Sequence, residues 1–305
     1  MEKHTVSASL TDNTKYMNRA LPVKKSFDII ERNLIIGGQN SAFYFIDGFT
    51  KDETMLKLMD SFLNISADDM PEDATSFSTS CIPYVEVDIL GDFDSIFKNL
   101  LSGVTCLFID GYEAAIAIDC RTYPSRSIQE PHKDKSLRGS RDGFVETIVF
   151  NTALMRRRIR DPHLIMEMYE AGTSTRTDVA LCYMSDRVDR ELLTTIQNKL
   201  EESKSQDLKM SQQSLAESLF QRKWYNPFPK YKFTERPDTA CACLMEGKVI
   251  LLTDTSPSAL ILPTSIFDMI EEANDYYFPT LTGVYLKISR ALITILTVFL
   301  TPVFL

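Results

Sequence analysis

Histidine is nearly missing from this chain, with three in 305 residues, at positions 4, 132 and 163. That scarcity argues against zinc, which draws on clustered Cys and His ligands. Cys241 and Cys243 stand two apart, which on a helix points them in nearly opposite directions, and neither has a histidine near it in sequence. Glycine is low at 11 residues, and no GxGxxG or P-loop pattern occurs, so the nucleotide fingerprints are absent. Positive charge is short as well. There are 33 Lys+Arg against 42 Asp+Glu, a net charge of −9, the wrong sign for general nucleic-acid binding. The six cysteines are scattered, several inside apolar runs such as GVTCLFID, which reads as reduced thiols more than a disulfide framework. The N-terminal MEKHTVSASLTDNTKY has no apolar core, so it is read as a flexible tail over 1–25 and not as a signal peptide. No cofactor and no metal are expected.

What the chain does have is enough length for two domains and a globular balance of 44% hydrophobic and 25% charged residues. SFDIIERNLIIGGQNSAFYFID reads as two strands around Gly37-Gly38, followed by an amphipathic helix in DETMLKLMDSFLNI. A short strand YVEVDI, a helix DFDSIFKNLL and a hairpin turning at Asp110-Gly111 complete a first subdomain over 26–122. The same grammar recurs over 176–280. TDVALCYM reads as a strand, DRELLTTIQNKLEE and SLAESLFQRK as helices, and YKF as a short strand. A helix then starts at Pro237, the favoured first helical position, and a second hairpin turns near Asp254. Placing Gly103 on Gly247 also aligns Asp110 with Asp254, Ala115 with Ala259 and Ile118 with Leu262. The expectation is an α/β (α+β) protein of two related mixed-sheet subdomains.

Between them, over 123–175, lies LRGSRDGFVETIVFNTALMRRRIRDPHL, with six arginines. Apolar residues from Phe144 to Ile159 follow helical spacing. Asp142 and Glu146 fall in the first turn of that helix and Arg156, Arg157 and Arg158 in the last, complementing its dipole. Asp161 then caps a second helix that starts at Pro162 and ends at Gly172, giving a helical hairpin. A DNA-reading helix-turn-helix is disfavoured, because HLIMEMYEA offers no long basic or amide side chain and carries two glutamates. Two readings stay open for Arg138, Arg141, Asp142, Glu146, Arg156, Arg157, Arg158, Arg160 and Asp161. They form a structural junction in which arginine forks pair with carboxylates, or an anion site.

Other motifs carry less. LLTDTS resembles the Asp-Thr-Gly element of aspartic proteases, and Asp110 supplies a second aspartate. The glycine those enzymes need after Thr is Ser256 here, so two hairpin-turn aspartates are the better reading. Trp224-Tyr225-Asn226-Pro227 reads as a packed turn leading into the YKF strand, with an aromatic recognition loop as the less favoured alternative. The uncharged ALITILTVFLTPVFL, residues 291–305, leaves no face for water and is read as the start of a transmembrane helix over 281–305. A buried terminal segment is the alternative. Lys287 and Arg290 mark the membrane edge and would keep the preceding domain in the cytoplasm.

RGSRDGFVETIVFNTALMRRRIRDP, YNPFPKYKFTERPD and EGKVILLTDTSPSALILPTSIFDMIEEANDYY resemble the A-subunit family of spore germinant receptors. The TERPD element and its Tyr-Asn-Pro lead-in point to the stage V sporulation branch. The resemblance covers residues 26–305. It implies two cytoplasmic α/β subdomains followed by several membrane helices, of which this chain would hold only the first part of the first. It further implies a location in the inner spore membrane and no enzymatic activity. The implied role is assembly, as a homo-oligomer and with other receptor subunits, into a complex that releases ions on nutrient sensing. No nucleic-acid partner is expected. The rival reading is a cytoplasmic domain that senses an anion or nucleotide at the arginine junction.

Overall fold

The structure, a computed structural model, describes residues 4–83, 86–123, 142–204, 211–220, 230–265, 268 and 280–304. The chain divides into two compact units, one of Met1–Ser125, Val149–Met168 and Ala180–Asp186, the other of Arg126–Ile148, Tyr169–Val179 and Arg187–Leu305.

The first run of elements is α1 (Leu10–Ala20), β1 (Ile29–Ile36), β2 (Gln39–Ile46), α2 (Asp52–Leu63), α3 (Ala74–Ser80), β3 (Val87–Leu90), α4 (Phe93–Leu101), β4 (Thr105–Ile109) and β5 (Ala115–Ile118). The sheet order is β1-β2-β4-β5-β3, and every neighbouring pair is antiparallel. Gly37 and Gly38 sit between the paired Ile36 and Gln39 with φ of 52° and 78°, the backbone a two-residue hairpin turn of this hand demands. Successive residues alternate faces, and both faces are covered. Tyr44 and Phe108 pack with Met17 of α1 and Phe93 and Ile96 of α4. Phe43 and Leu107 pack with Leu58 and Phe62 of α2 and Phe77 of α3.

The expectation of a flexible tail over 1–25 is corrected by α1. Ser9 caps it through Asp12, and Met17 and Leu21 are buried. Leu10 and Tyr16 pack partly buried beside them, and these few apolar residues are spread among polar ones, so the segment reads as polar when scanned for a long hydrophobic run.

The second run follows the same order: α5 (Ile148–Arg158), β6 (Leu164–Ala171), β7 (Thr177–Met184), α6 (Arg190–Ser203), α7 (Ser211–Leu219), β8 (Lys232–Thr234), α8 (Pro237–Met245), β9 (Val249–Thr253) and β10 (Ala259–Leu262). Its sheet order, β6-β7-β9-β10-β8, repeats the first, and β10 runs antiparallel to both β9 and β8. The sheets are therefore antiparallel where mixed sheets were expected. Individual hydrogen bonds repeat too. Gly111 N donates to Ala8 O as Thr255 N donates to Glu146 O, and Asp110 N donates to Asn40 O as Asp254 N does to Asp178 O. Leu21 N bonds Met17 O as Ile159 N bonds Met155 O. Gly103 and Gly247 share φ of 100° and 90°.

This repetition overturns the helical hairpin. α5 is the counterpart of α1, and Leu164–Ala171 is a strand, not a second helix. LIMEMYEA combines Met and Glu, good helix formers, but Leu164 and Met166 are buried and Met168 and Glu170 exposed as the strand leaves the core. Tertiary pairing decides such a segment. α5 also starts at Ile148, so Asp142 and Glu146 precede it and do not lie in its first turn.

α9 (Thr280–Phe304) occupies the segment expected to begin a membrane span. Among the described residues no helix is long and apolar enough to cross a membrane. α9 nevertheless exposes large apolar side chains, among them Leu281, Tyr285, Ile288 and Leu292.

Candidate functional site

Arg156 is the centre of the arginine stretch. It lies in the last turn of α5, where a cation suits the helix dipole. Two features of the chain place this helix. The Asp254 carboxylate accepts the N–H of its first residue, Ile148, at 3.1 Å. Within the first unit, Gly48 has φ of 77° and lets Val149 and Ala153 come close, since a Cβ there would meet Ala153 Cβ at 3.1 Å and Val149 O at 3.2 Å.

The Arg156 side chain is 0% exposed and faces Asp28, which is 1% exposed. Nε donates to Asp28 Oδ2 at 2.6 Å and Nη2 to Oδ1 at 3.2 Å, a two-pronged pairing that only a guanidinium can make. Nη1 also donates to Asp161 O at 3.0 Å and Nη2 to Leu164 O at 2.9 Å. Asp28 Oδ1 accepts a further bond from Ser26 Oγ at 2.5 Å, and that hydroxyl accepts from Met166 N at 3.0 Å. Phe27 N donates to Met166 O. The cluster thus fastens the segment leading into β1 to α5 and the start of β6. In this lock Arg156 and Asp28 are paired with each other and shut away from solvent, which leaves neither side chain open to a ligand.

The other expected residues do not join it. Arg157 is exposed and lies over the Tyr123 ring, 4.4 Å from its centre. Arg158 and Arg160 are exposed, with Arg160 Nε 3.4 Å from Arg157 O. Asp161 contributes its carbonyl to Arg156, while its carboxylate accepts His163 N at 2.8 Å and contacts the His163 ring. Asp142 and Glu146 are exposed. Arg138, Arg141 and the Trp224 turn lie outside the described residues. Lys287 and Arg290 sit half-buried on α9.

Asp28 and Ser26 were not anticipated, and an aspartate directly before two isoleucines at a strand entrance was the available signal. Arg236 was also missed. It is buried and pairs with Asp238, with Nε donating to Oδ1 at 3.0 Å, across Pro237, the first residue of α8. TERPD is thus a helix start stabilised by its own ion pair. Arg121 holds Asp119 the same way, and this hydrogen bond keeps the Asp119 carboxyl below the usual range. Asp110 and Asp254 serve as acceptors for the first N–H of α1 and α5 respectively, not as an acid pair.

A cavity of about 510 Å³ is lined by Arg19, Lys24 and Lys25 with Asn18, His163 and Ser185. Lys25 is already 3.3 Å from Glu167. Among the described residues no group of His, Cys, Asp and Glu could hold a metal ion.

Comparison with known proteins gives a consistent answer. A family model described as Bacillus/Clostridium GerA spore germination protein matches residues 15–305. Stage V sporulation protein AF of Bacillus subtilis (strain 168) is 32% identical over 287 residues, covering 94% of this chain and 58% of its own. Spore germination protein KA of the same organism is 28% identical over 292 residues, 94% of this chain and 53% of its own. The chain spans about half the length of these curated relatives. The crystal structure of the N-terminal domain of the A subunit of the Bacillus megaterium spore germinant receptor GerK3 matches with a TM-score of 0.63 at 22% identity. It covers 87% of this chain and 98% of that one, a likeness of fold.

Proposed function

The chain belongs to the Bacillus/Clostridium GerA spore germination protein family, and from that premise we propose that it is a non-enzymatic subunit of a germination complex in the inner spore membrane. Its two-sheet part is the cytoplasmic module through which it assembles, with copies of itself and with other germinant receptor subunits, and through which ion release is gated. The family match across residues 15–305 carries this reading. The row of apolar side chains on α9 supports a membrane or membrane-protein neighbour at the C-terminal end, since large apolar patches mark such contacts. Lys287 and Arg290 would then lie at the membrane edge.

The test is deletion of the gene in its own spore former, with ion release and loss of optical density followed after nutrients are added. Delayed or incomplete release, restored by the intact gene, is expected. Unchanged kinetics would sink the proposal. The rival reading, an anion or nucleotide sensor, loses Arg156 to its pairing with Asp28. Among the described residues the cavity of Arg19, Lys24 and Lys25 offers it another place, and titration of the full chain with phosphate and ATP decides it.

A further inference from the structure

Helix α2 carries an apolar pair that its fold does not require. Glu53, Leu56, Asp60 and Leu63 are spaced three, four and three apart, so they share one stripe of the helix, and all are exposed. Leu56 is 71% exposed and Leu63 59%.

The second repeat supplies an internal control. α2 and α6 follow Lys51 and Asp189, which hold equivalent places after β2 and β7. Their core positions correspond, with Leu58 matching Ile196 and Phe62 matching Leu200, all buried. The outer stripe does not correspond. In α6 it reads Glu191, Thr194, Asn198 and Glu201, every one exposed and polar. A helix in this place therefore needs no leucine on its outer stripe.

The surroundings select the kind of partner. Residues 51–73 hold seven acidic side chains against Lys51 and Lys57. Glu53, Asp60, Asp68 and Glu72 make no ion pair among the described residues. An anionic lipid surface or a second copy of the same acidic stripe would meet like charge. We infer that this face docks a basic amphipathic helix of a partner protein, with apolar side chains seated on Leu56 and Leu63 and Lys or Arg facing Glu53 and Asp60. The inference rests on α2 alone and stands apart from the germination reading.

The probe is a labelled 18-residue Leu/Lys helix, with a Leu/Glu helix as counterpart, titrated against the full chain in mild detergent by fluorescence anisotropy. Leu56→Thr with Leu63→Glu installs the outer stripe of α6 and so preserves a face known to fold. The Leu/Lys helix should bind, the Leu/Glu helix should not, and the double variant should weaken binding at least tenfold. That variant adds a negative charge, so attraction by charge alone would tighten binding instead. Equal or tighter binding to the variant, or no binding at all, overturns the inference. Asp60→Asn, expected to weaken binding severalfold, carries the test if the double variant melts early. Self-association abolished by the double variant in light scattering, or binding of anionic vesicles at this face, would assign it to another occupant and also overturn the inference.

Discussion

Replacing Arg156 with Met should destabilise the protein by about 4–6 kcal/mol. The figure follows from what the guanidinium leaves behind. Removing one member of a buried ion pair costs about 3–5 kcal/mol, because the other charge stays uncompensated, and Asp28 at 1% exposure would keep only the Ser26 hydroxyl. Leu164 is buried, so its carbonyl, now without Nη2, adds about 1–3 kcal/mol for an unsatisfied acceptor. Asp161 is half-exposed and its carbonyl can take water, so it adds little. Local relaxation trims the sum. Against a typical total of about 5–15 kcal/mol, such a loss shows as a large fall in the urea midpoint followed by far-UV circular dichroism. Arg156→Lys should fall between, keeping charge but not the fork. The double variant Arg156→Met with Asp28→Leu should recover most of the stability, since buried pairs replaced by apolar residues are often neutral or better. A single Arg156→Met change within about 0.5 kcal/mol of wild type, a typical surface effect, would refute the lock.

Three further expectations follow from the geometry. Asp254→Ala and Asp110→Ala each remove the acceptor of a helix's first N–H and should cost about 0.5–2 kcal/mol in urea denaturation, while Asn at either place should cost less. Gly247→Ala should cost more than Gly111→Ala. Both sit at positive φ, but an added Cβ at 247 meets Arg187 O at 2.7 Å while at 111 it meets open space, and Thr255 already holds the equivalent of Gly111. Asp119 has its carboxyl lowered by the Arg121 hydrogen bond, so its contribution is complete above about pH 4, the unfolded value, and disappears as pH falls through the lower folded value. Arg121→Gln should flatten the acid limb of stability below about pH 4, the unfolded value.

Local chemistry was legible wherever one residue type forces one backbone. Gly37-Gly38 and Asp110-Gly111 marked hairpins, Pro237 opened α8, and matching Ala115 to Ala259 and Ile118 to Leu262 fell on β5 and β10 end for end. Two elements were not legible, and for different reasons. α1 hides because a surface helix buries only a narrow face, here Met17 and Leu21. LIMEMYEA hides because its residues suit either period, and only pairing within the sheet makes it a strand. The error propagated. With α1 taken as tail and β6 as helix, α5 and β6 looked like an insertion between two repeats when they are the opening of the second.

The same shift explains why the lock could not be read from the arginines alone. Counting from Leu10 and Ile148, the first residues of α1 and α5, Arg156 corresponds to Asn18, and from the paired bonds of Asp47 and Ser185 the counterpart of Asp28 is His163. Neither repeat holds both partners. The first kept the carboxylate at its strand entrance and an amide on its helix, and the second kept the guanidinium and an exposed imidazole. A buried charge is tolerable only when matched, so Arg156 and Asp28 are each explained only by the other, 128 positions away. Arg157, Arg158 and Arg160 stay on the surface. The density of positive charge in the stretch was therefore a poor guide. The informative residue was Arg156, the one of these four arginines whose side chain is buried.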